Sequence, residues 1–253
     1  MSLSLMLMLA VSMVGTAFLS GIFGMAGGMI LIGILLAVLP LPAAMALHAV
    51  TQMASNGWRA LLWWRHIRLR AAAGYLAGSV LGLIGWSLFR YVPDKAVALL
   101  FLGLTPFIVY LLPARLKPDA ARFDHGVVYG AICMSLLLLT GVVGPLVDTF
   151  FLGGKLDRRE IVATKAFCQI FGHAMKLIYF TSIAAQGGGV DGTMMIIAIA
   201  ASIFGTTAAR RILEAMSNTQ YRVWSTRIIV AISGFYVLQG GYLLAAPAFG
   251  ASP

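Results

Sequence analysis

From Met1 to Trp58 this chain contains no Lys, Arg, Asp or Glu. Further charge-free runs cover Ala71 to Phe89, Ala96 to Ala114, Gly126 to Val147, Gly192 to Ala209 and Ile228 to Pro253. A helix rises about 1.5 Å per residue, so about 20 apolar residues cross a hydrocarbon core about 30 Å thick. Lipid offers the backbone no hydrogen-bond partners, so runs of this kind must be helical. A β-barrel needs strands of about ten residues that alternate polar and apolar, and these runs do not alternate. With 60% hydrophobic and 10% charged residues, the chain is no water-soluble domain. The fold class expected is all-α, a polytopic helical membrane bundle.

The N-terminal stretch has no basic residue before it and is far longer than the apolar part of a cleaved signal, so it is expected to remain in the fold. Cys133 and Cys168 lie within apolar segments without metal-ligand spacing, and packing is their expected role; neither a disulfide, a metal nor a cofactor is expected. The net charge of +10 comes from short basic clusters between apolar runs. Topology explains such clusters better than nucleic-acid binding, and no nucleic-acid partner is expected.

Sliding the chain against itself by 117 residues aligns Gly24-Met-Ala-Gly-Gly28 with Gly141-Val-Val-Gly-Pro145. In the same register Leu39 meets Leu156, Ala46 meets Ala163, His48 meets Lys165, Gln52 meets Gln169, Asn56 meets His173, and Arg59 meets Lys176. The offset then grows to 123, pairing Ser79 with Ser202 and Gly82 with Gly205; the extra residues fall around Gln186-Gly-Gly-Gly. Two halves on one plan are expected: a first transmembrane repeat over 1–112, a cytoplasmic linker over 113–125, and a second repeat over 126–253.

Charge selects the topology of the halves. Eight apolar segments crossing in simple alternation split the basic residues almost evenly between the two sides, against the positive-inside rule. If the Gly-rich segment of each half is instead a re-entrant hairpin followed by three full crossings, only Arg90 and Lys95 remain outside. An odd number of crossings per half makes the second repeat inverted. The segments Gly126 to Thr140 and Leu146 to Gly154 are short for a full crossing, and the bends fall at Gly24 to Gly28 and Gly141 to Pro145.

A helix broken within the membrane restarts with unpaired N–H groups and the positive end of its dipole, which attract anions. Two opposed breaks place such ends together at the repeat interface, where discontinuous helices build transporter sites. The candidate substrate-binding set is Gly27, Gly28, His48, Thr51, Gln52 and Asn56 from the first half, with Gly144, Lys165, Gln169 and His173 from the second. Spacings of 4, 7 and 11 put His48, Gln52, Ser55 and Arg59 on one helix face, and Lys165, Gln169, Gly172 and Lys176 on another. For Arg59 and Lys176 the competing reading is a side chain that reaches out to the interface. For His48 it is a hydrogen bond to a carbonyl in a packed core. Asp148, an acid in an apolar arm, either carries a proton or pairs with Lys165 or Lys176.

The residues Gly21-Ile-Phe-Gly-Met-Ala-Gly-Gly-Met-Ile30, Pro40-Leu-Pro42 and the Ala46 to Asn56 segment, with Gly141-Val-Val-Gly-Pro145 and Thr164 to Gly172, resemble the sulfite exporter TauE/SafE family of bacterial membrane transporters. The sequence departs from that family's common pattern at Gly144-Pro-Leu and at Lys165-Ala-Phe-Cys. The resemblance implies a multi-pass protein of the bacterial inner membrane that moves sulfite or an organosulfonate such as sulfoacetate, usually outward and energised by the proton gradient. A small oxyanion suits opposed helix N-termini with Gln, His and Lys donors. A membrane enzyme needs a nucleophile or metal constellation that the sequence lacks. A channel or carrier for another small anion, thiosulfate or a carboxylate, is the alternative. The expected partners are that anion and the lipid bilayer, with a homodimer as the generic assembly.

Overall fold

A computed structural model describes residues 2–23, 26–111, 113, 118–120, 122–152, 156, 158–183 and 191–245. Gly24 and Met25 of the first bend, residues 114–117 and 121 of the linker, residues 184–190 around the glycine-rich insertion and the side chain of Asp148 lie outside the described residues. All regular structure among the described residues is helical. The first half contains α1 (Leu3–Phe23), α2 (Ala26–Val38), α3 (Leu41–Leu62), α4 (Leu69–Phe89) and α5 (Lys95–Tyr110). The second contains α6 (Phe123–Thr140), α7 (Gly144–Leu152), α8 (Arg158–Ile178), α9 (Gly192–Ala215) and α10 (Asn218–Ala245).

Five helical stretches are long and apolar enough to cross a membrane: Leu3–Phe23, Leu69–Phe89, Phe123–Thr140, Gly192–Ala209 and Thr226–Ala245. The expected shortness of Gly126 to Thr140 is thereby corrected, because α6 has 18 residues and starts at Phe123. Its start lies ahead of the charged boundary because Asp124 in the first turn suits the positive end of the helix, and Arg122 pairs with it there. The short arms are α2, with 13 residues, and α7, with nine, about 20 and 14 Å long.

Helix ends follow local chemistry. Gly141 closes α6 at φ +82°, a left-handed conformation open to glycine, with its N–H on the Leu137 carbonyl. Pro40 precedes α3 and Pro42 sits in its first turn, where a missing N–H has no consequence. Pro106 lies inside α5.

Contacts give the direction of each helix. His48, near the start of α3, meets Lys176 near the end of α8, whereas Arg68, just past α3, meets Glu160 and Thr164 near the start of α8. These two helices are therefore antiparallel. So are α5 and α10, since Gly103 lies against Ser233 and Val237 while Gly240 lies against Ala96 and Leu100. In contrast α4 runs parallel to α6 and α1 parallel to α9, as the contacts of Gly74 and Gly82 and those of Gly21 and Gly205 show. Exchanging α1–α5 for α6–α10 turns the α1–α9 pairing into α6–α4 and the α3–α9 pairing into α8–α4, and returns α3–α8 and α5–α10 to themselves. The chain directions group Arg65, Arg68, Arg70 and Arg122 at one pole, and Arg90 and Lys95 at the other.

Small residues make the close pairings possible, since apolar helices in lipid associate through packing more than through burial. A Cβ on Gly78 would meet the Val127 carbonyl, and one on Gly130 the Tyr75 carbonyl, far inside contact distance. Gly205 faces the Val14 carbonyl in the same way, which is why it matches Gly82 in the repeat. Gly85, by contrast, has nothing within 4 Å. Gly78→Ala is expected to cost about 1–3 kcal/mol through overpacking, whereas Gly85→Ala gains about 0.5–1 kcal/mol from helix propensity. Thermal unfolding of the two purified variants checks the contrast.

Candidate functional site

The two most polar long helices, α3 and α8, are absent from the apolar spans and pack against each other at the centre of the bundle. Because α1, α2, α4 and α9 cover them, their polar faces turn toward protein instead of lipid. Ser202 of α9 donates to the Thr51 carbonyl at 3.0 Å, and Ser55 and Thr206 share a hydrogen bond of 3.0 Å. These ties hold α3 against the second half.

A chain of hydrogen bonds crosses the interface between the halves. Nε2 of His48 lies 3.0 Å from the Gly28 carbonyl oxygen. A carbonyl only accepts, so Nε2 carries the hydrogen and Nδ1 of the neutral ring is an acceptor. Nζ of Lys176 donates to that Nδ1 at 2.8 Å and to the Gly141 carbonyl at 3.0 Å. The first turn of α2 and the bend before α7 are thus linked through one histidine and one lysine. His48 and Lys176 are fully buried. The reading of Lys176 as a side chain reaching the interface is corrected by that burial. The helical path continues past it through Leu177 and Ile178 and a π-helical turn, Tyr179–Ile183, whose Tyr179 and Phe180 are buried. The core therefore extends beyond the lysine. That apolar continuation is the signal in the sequence that marks Lys176 as central.

Around this chain the structure gathers several of the candidate residues. Gly28 stands against the Gln52 amide, which a Cβ on the glycine would approach at 3.3 Å. The rings of His48 and His173 lie edge to face, 5.6 Å apart. Buried His173 has no hydrogen-bond partner on Nδ1, and buried Asn56 has none on Oδ1, although its Nδ2 donates to the Gln52 carbonyl at 2.9 Å. Buried polar atoms of this kind normally have partners; the hydroxyl of Ser20, beside Gly27, is unpaired as well. Lys165 and Gln169 are half-buried on α8, and Gly144 is buried where α7 begins.

Other candidates serve packing in this conformation. Gly27 is pressed against the Thr16 carbonyl, where it lets the two arms of the first hairpin touch. Thr51 donates to the Leu47 carbonyl one turn back. Arg59 is half-buried and donates to the Ser55 carbonyl at 3.3 Å, while Lys176, its match in the repeat, is wholly enclosed. Sequence reasoning missed Ser202, Thr206 and Tyr236, whose hydroxyls bind α3 and the Met29 carbonyl of α2. Ser202 and Thr206 lie in an apolar stretch, where a Ser or Thr hydroxyl most often bonds within its own helix, and Tyr236 is one aromatic residue among apolar ones.

A family model described as sulfite exporter TauE/SafE matches residues 7–236. The chain belongs to that family, whose members are membrane transporters of sulfur anions. No match was found among curated proteins or among solved structures.

Removing one partner from a buried hydrogen bond costs more than removing both. His48→Leu is therefore expected to destabilise the protein by about 1–3 kcal/mol, and His48→Leu with Lys176→Met by less than the single change. A double-mutant cycle in thermal unfolding measures the coupling.

Proposed function

We propose that this chain is a secondary active transporter that exports sulfite or a small organosulfonate such as sulfoacetate, without covalent chemistry and without a cofactor. The anion is held between the two hairpins at the interface of α3 and α8. The observation that carries this reading is the unpaired Nδ1 of buried His173, beside half-buried Gln52 and Gln169; the unpaired Oδ1 of Asn56 only accepts and suits the O–H of a protonated oxyanion. Amide and imidazole N–H groups rotate or ionise to donate to an oxyanion, and the start of α7 adds the positive end of a helix. Coupling to protons belongs to the same proposal, with Asp148 as a candidate carrier.

We read the two halves, 1–112 and 126–253, as inverted repeats in the inner membrane of a bacterium. Support comes from direction: matched helices α3 and α8 run antiparallel, and so do α5 and α10. A rotation that leaves membrane direction unchanged makes matched helices parallel, whereas an axis in the membrane plane reverses them. The basic pole then faces the cytoplasm. Tips of this kind, brought to the same depth from opposite sides, expose the site to one face at a time as the halves rock.

Two measurements test the reading. In proteoliposomes, Gln52→Ala with Gln169→Ala is expected to reduce sulfite flux at least about tenfold, the equivalent of about 1.4 kcal/mol of lost binding; unchanged flux removes the site from this interface. Cysteines introduced at Arg65 and Lys95 are expected to react with impermeant thiol reagents from opposite sides of intact cells, Lys95→Cys from outside. Labelling of both from one side overturns the topology.

A further inference from the structure

We propose that Lys176 is the counter-charge of the transported anion, and that its single positive charge makes the closed site selective for a monoanionic oxyanion, such as bisulfite or an organosulfonate, over a dianion. The inference rests on the reading of the α3–α8 interface as the anion site and adds the group that answers the anion's charge. Lys176 is wholly enclosed, yet its two hydrogen-bond partners are neutral: the Gly141 carbonyl and the His48 ring. Among the described residues no carboxylate touches it, and the ion pairs of Arg68 with Glu160 and of Arg122 with Asp124 lie elsewhere. Burial without a counter-charge disfavours the ammonium form, so Lys176 carries its charge when an anion arrives to pair with it. One N–H of an ammonium is still unspent after those two bonds.

A second, independent observation points to the same place. His173 lies one turn before Lys176 on α8, is 4% exposed, and has an Nδ1 atom without a partner. Its ring abuts that of His48, the residue that Lys176 already contacts. A free ammonium N–H and an unpaired imidazole nitrogen one turn apart form a two-point seat for an oxyanion. The seat also touches both hairpins, because the same lysine holds the Gly141 carbonyl and, through His48, the Gly28 carbonyl. An anion drawing on Lys176 therefore alters the one polar link between the two bends.

The charge rule follows from enclosure. Among the described residues Lys176 is the cationic side chain with no exposure, while Arg59 and Lys165 are half-buried. One enclosed positive charge neutralises one negative charge. A dianion closed into the same volume keeps a net charge of one, at the high energetic cost of an uncompensated ion in a low-dielectric interior.

The test uses the full-length protein in detergent or nanodiscs, with melting temperature read against ligand concentration. Sulfite is expected to raise the melting temperature of the wild type. Lys176→Met leaves the His48 Nδ1 and the Gly141 carbonyl without their donor, so the ligand-free melting temperature is expected to fall, and the sulfite response to weaken at least tenfold. Lys176→Arg keeps part of the response. Methanesulfonate, a monoanion, is expected to stabilise the wild type more than sulfate, a dianion of similar shape. A sulfite response in Lys176→Met equal to that of the wild type overturns the proposal, as does sulfate stabilising as well as methanesulfonate. Should none of the three anions stabilise the wild type, the reading of the interface as an anion site fails, and this inference with it. A lysine with only a structural role predicts a lower melting temperature with the ligand response kept, so the ligand response is the deciding readout.

Discussion

Hydrocarbon supplies no hydrogen-bond partners, so every polar group that this chain takes into the bilayer must be answered by another part of the protein. The chain from the Gly28 carbonyl through His48 and Lys176 to the Gly141 carbonyl is where that constraint acts most strongly. It joins the breaks of both hairpins, and it requires α3 and α8 to lie side by side with their polar faces inward. The remaining helices then act as an apolar jacket. Polar α3 and α8 fail as membrane spans by hydropathy alone, and they are tolerated because α1, α2, α4 and α9 separate them from lipid.

That jacket is built from close approaches more than from large side chains. Gly74 on α4 meets Gly126 on α6, Gly78 and Gly82 admit Val127 and Ala131, Gly130 admits Tyr75, and between α1 and α9 Gly21 admits Thr206 and Ala209 while Gly205 admits Val14. Between such backbones the hydroxyls of Ser202, Thr206 and Tyr236 add directed ties to α2 and α3. The outcome is a rigid frame around a small polar centre. Within that centre the nitrogen Nδ1 of His173 and the oxygen Oδ1 of Asn56 are without partners, as is the Ser20 hydroxyl beside Gly27.

The repeat was legible as a register of polar residues, and the structure shows what the register means physically. Gln52 and Gln169 occupy matched places on antiparallel helices, so their backbones pass each other near the same level. His48 and Arg59 sit at unlike depths for the same reason, and their matches Lys165 and Lys176 exchange those depths: Lys176 comes to lie beside His48. Alignment in register pairs Lys176 with Arg59, whereas space pairs it with His48. A one-dimensional comparison cannot show that crossing, because it arises from the antiparallel packing of α3 on α8.

From sequence alone, the solvent was decided by the charge-free runs, helicity by the absence of backbone partners in lipid, and the bends by Gly24 to Gly28 and Gly141 to Pro145. The polar stripe of α3, with His48 and Gln52, was equally visible through its helical spacing. Tertiary structure decided the rest. It extended α6 to Phe123, pressed Gly27 against the Thr16 carbonyl, and decided between the two readings of Lys176 by enclosing it. The physical reason is that spacing along a helix reports which face a residue shares, but the depth and partner of that face are set by which helix packs against it, and in which direction.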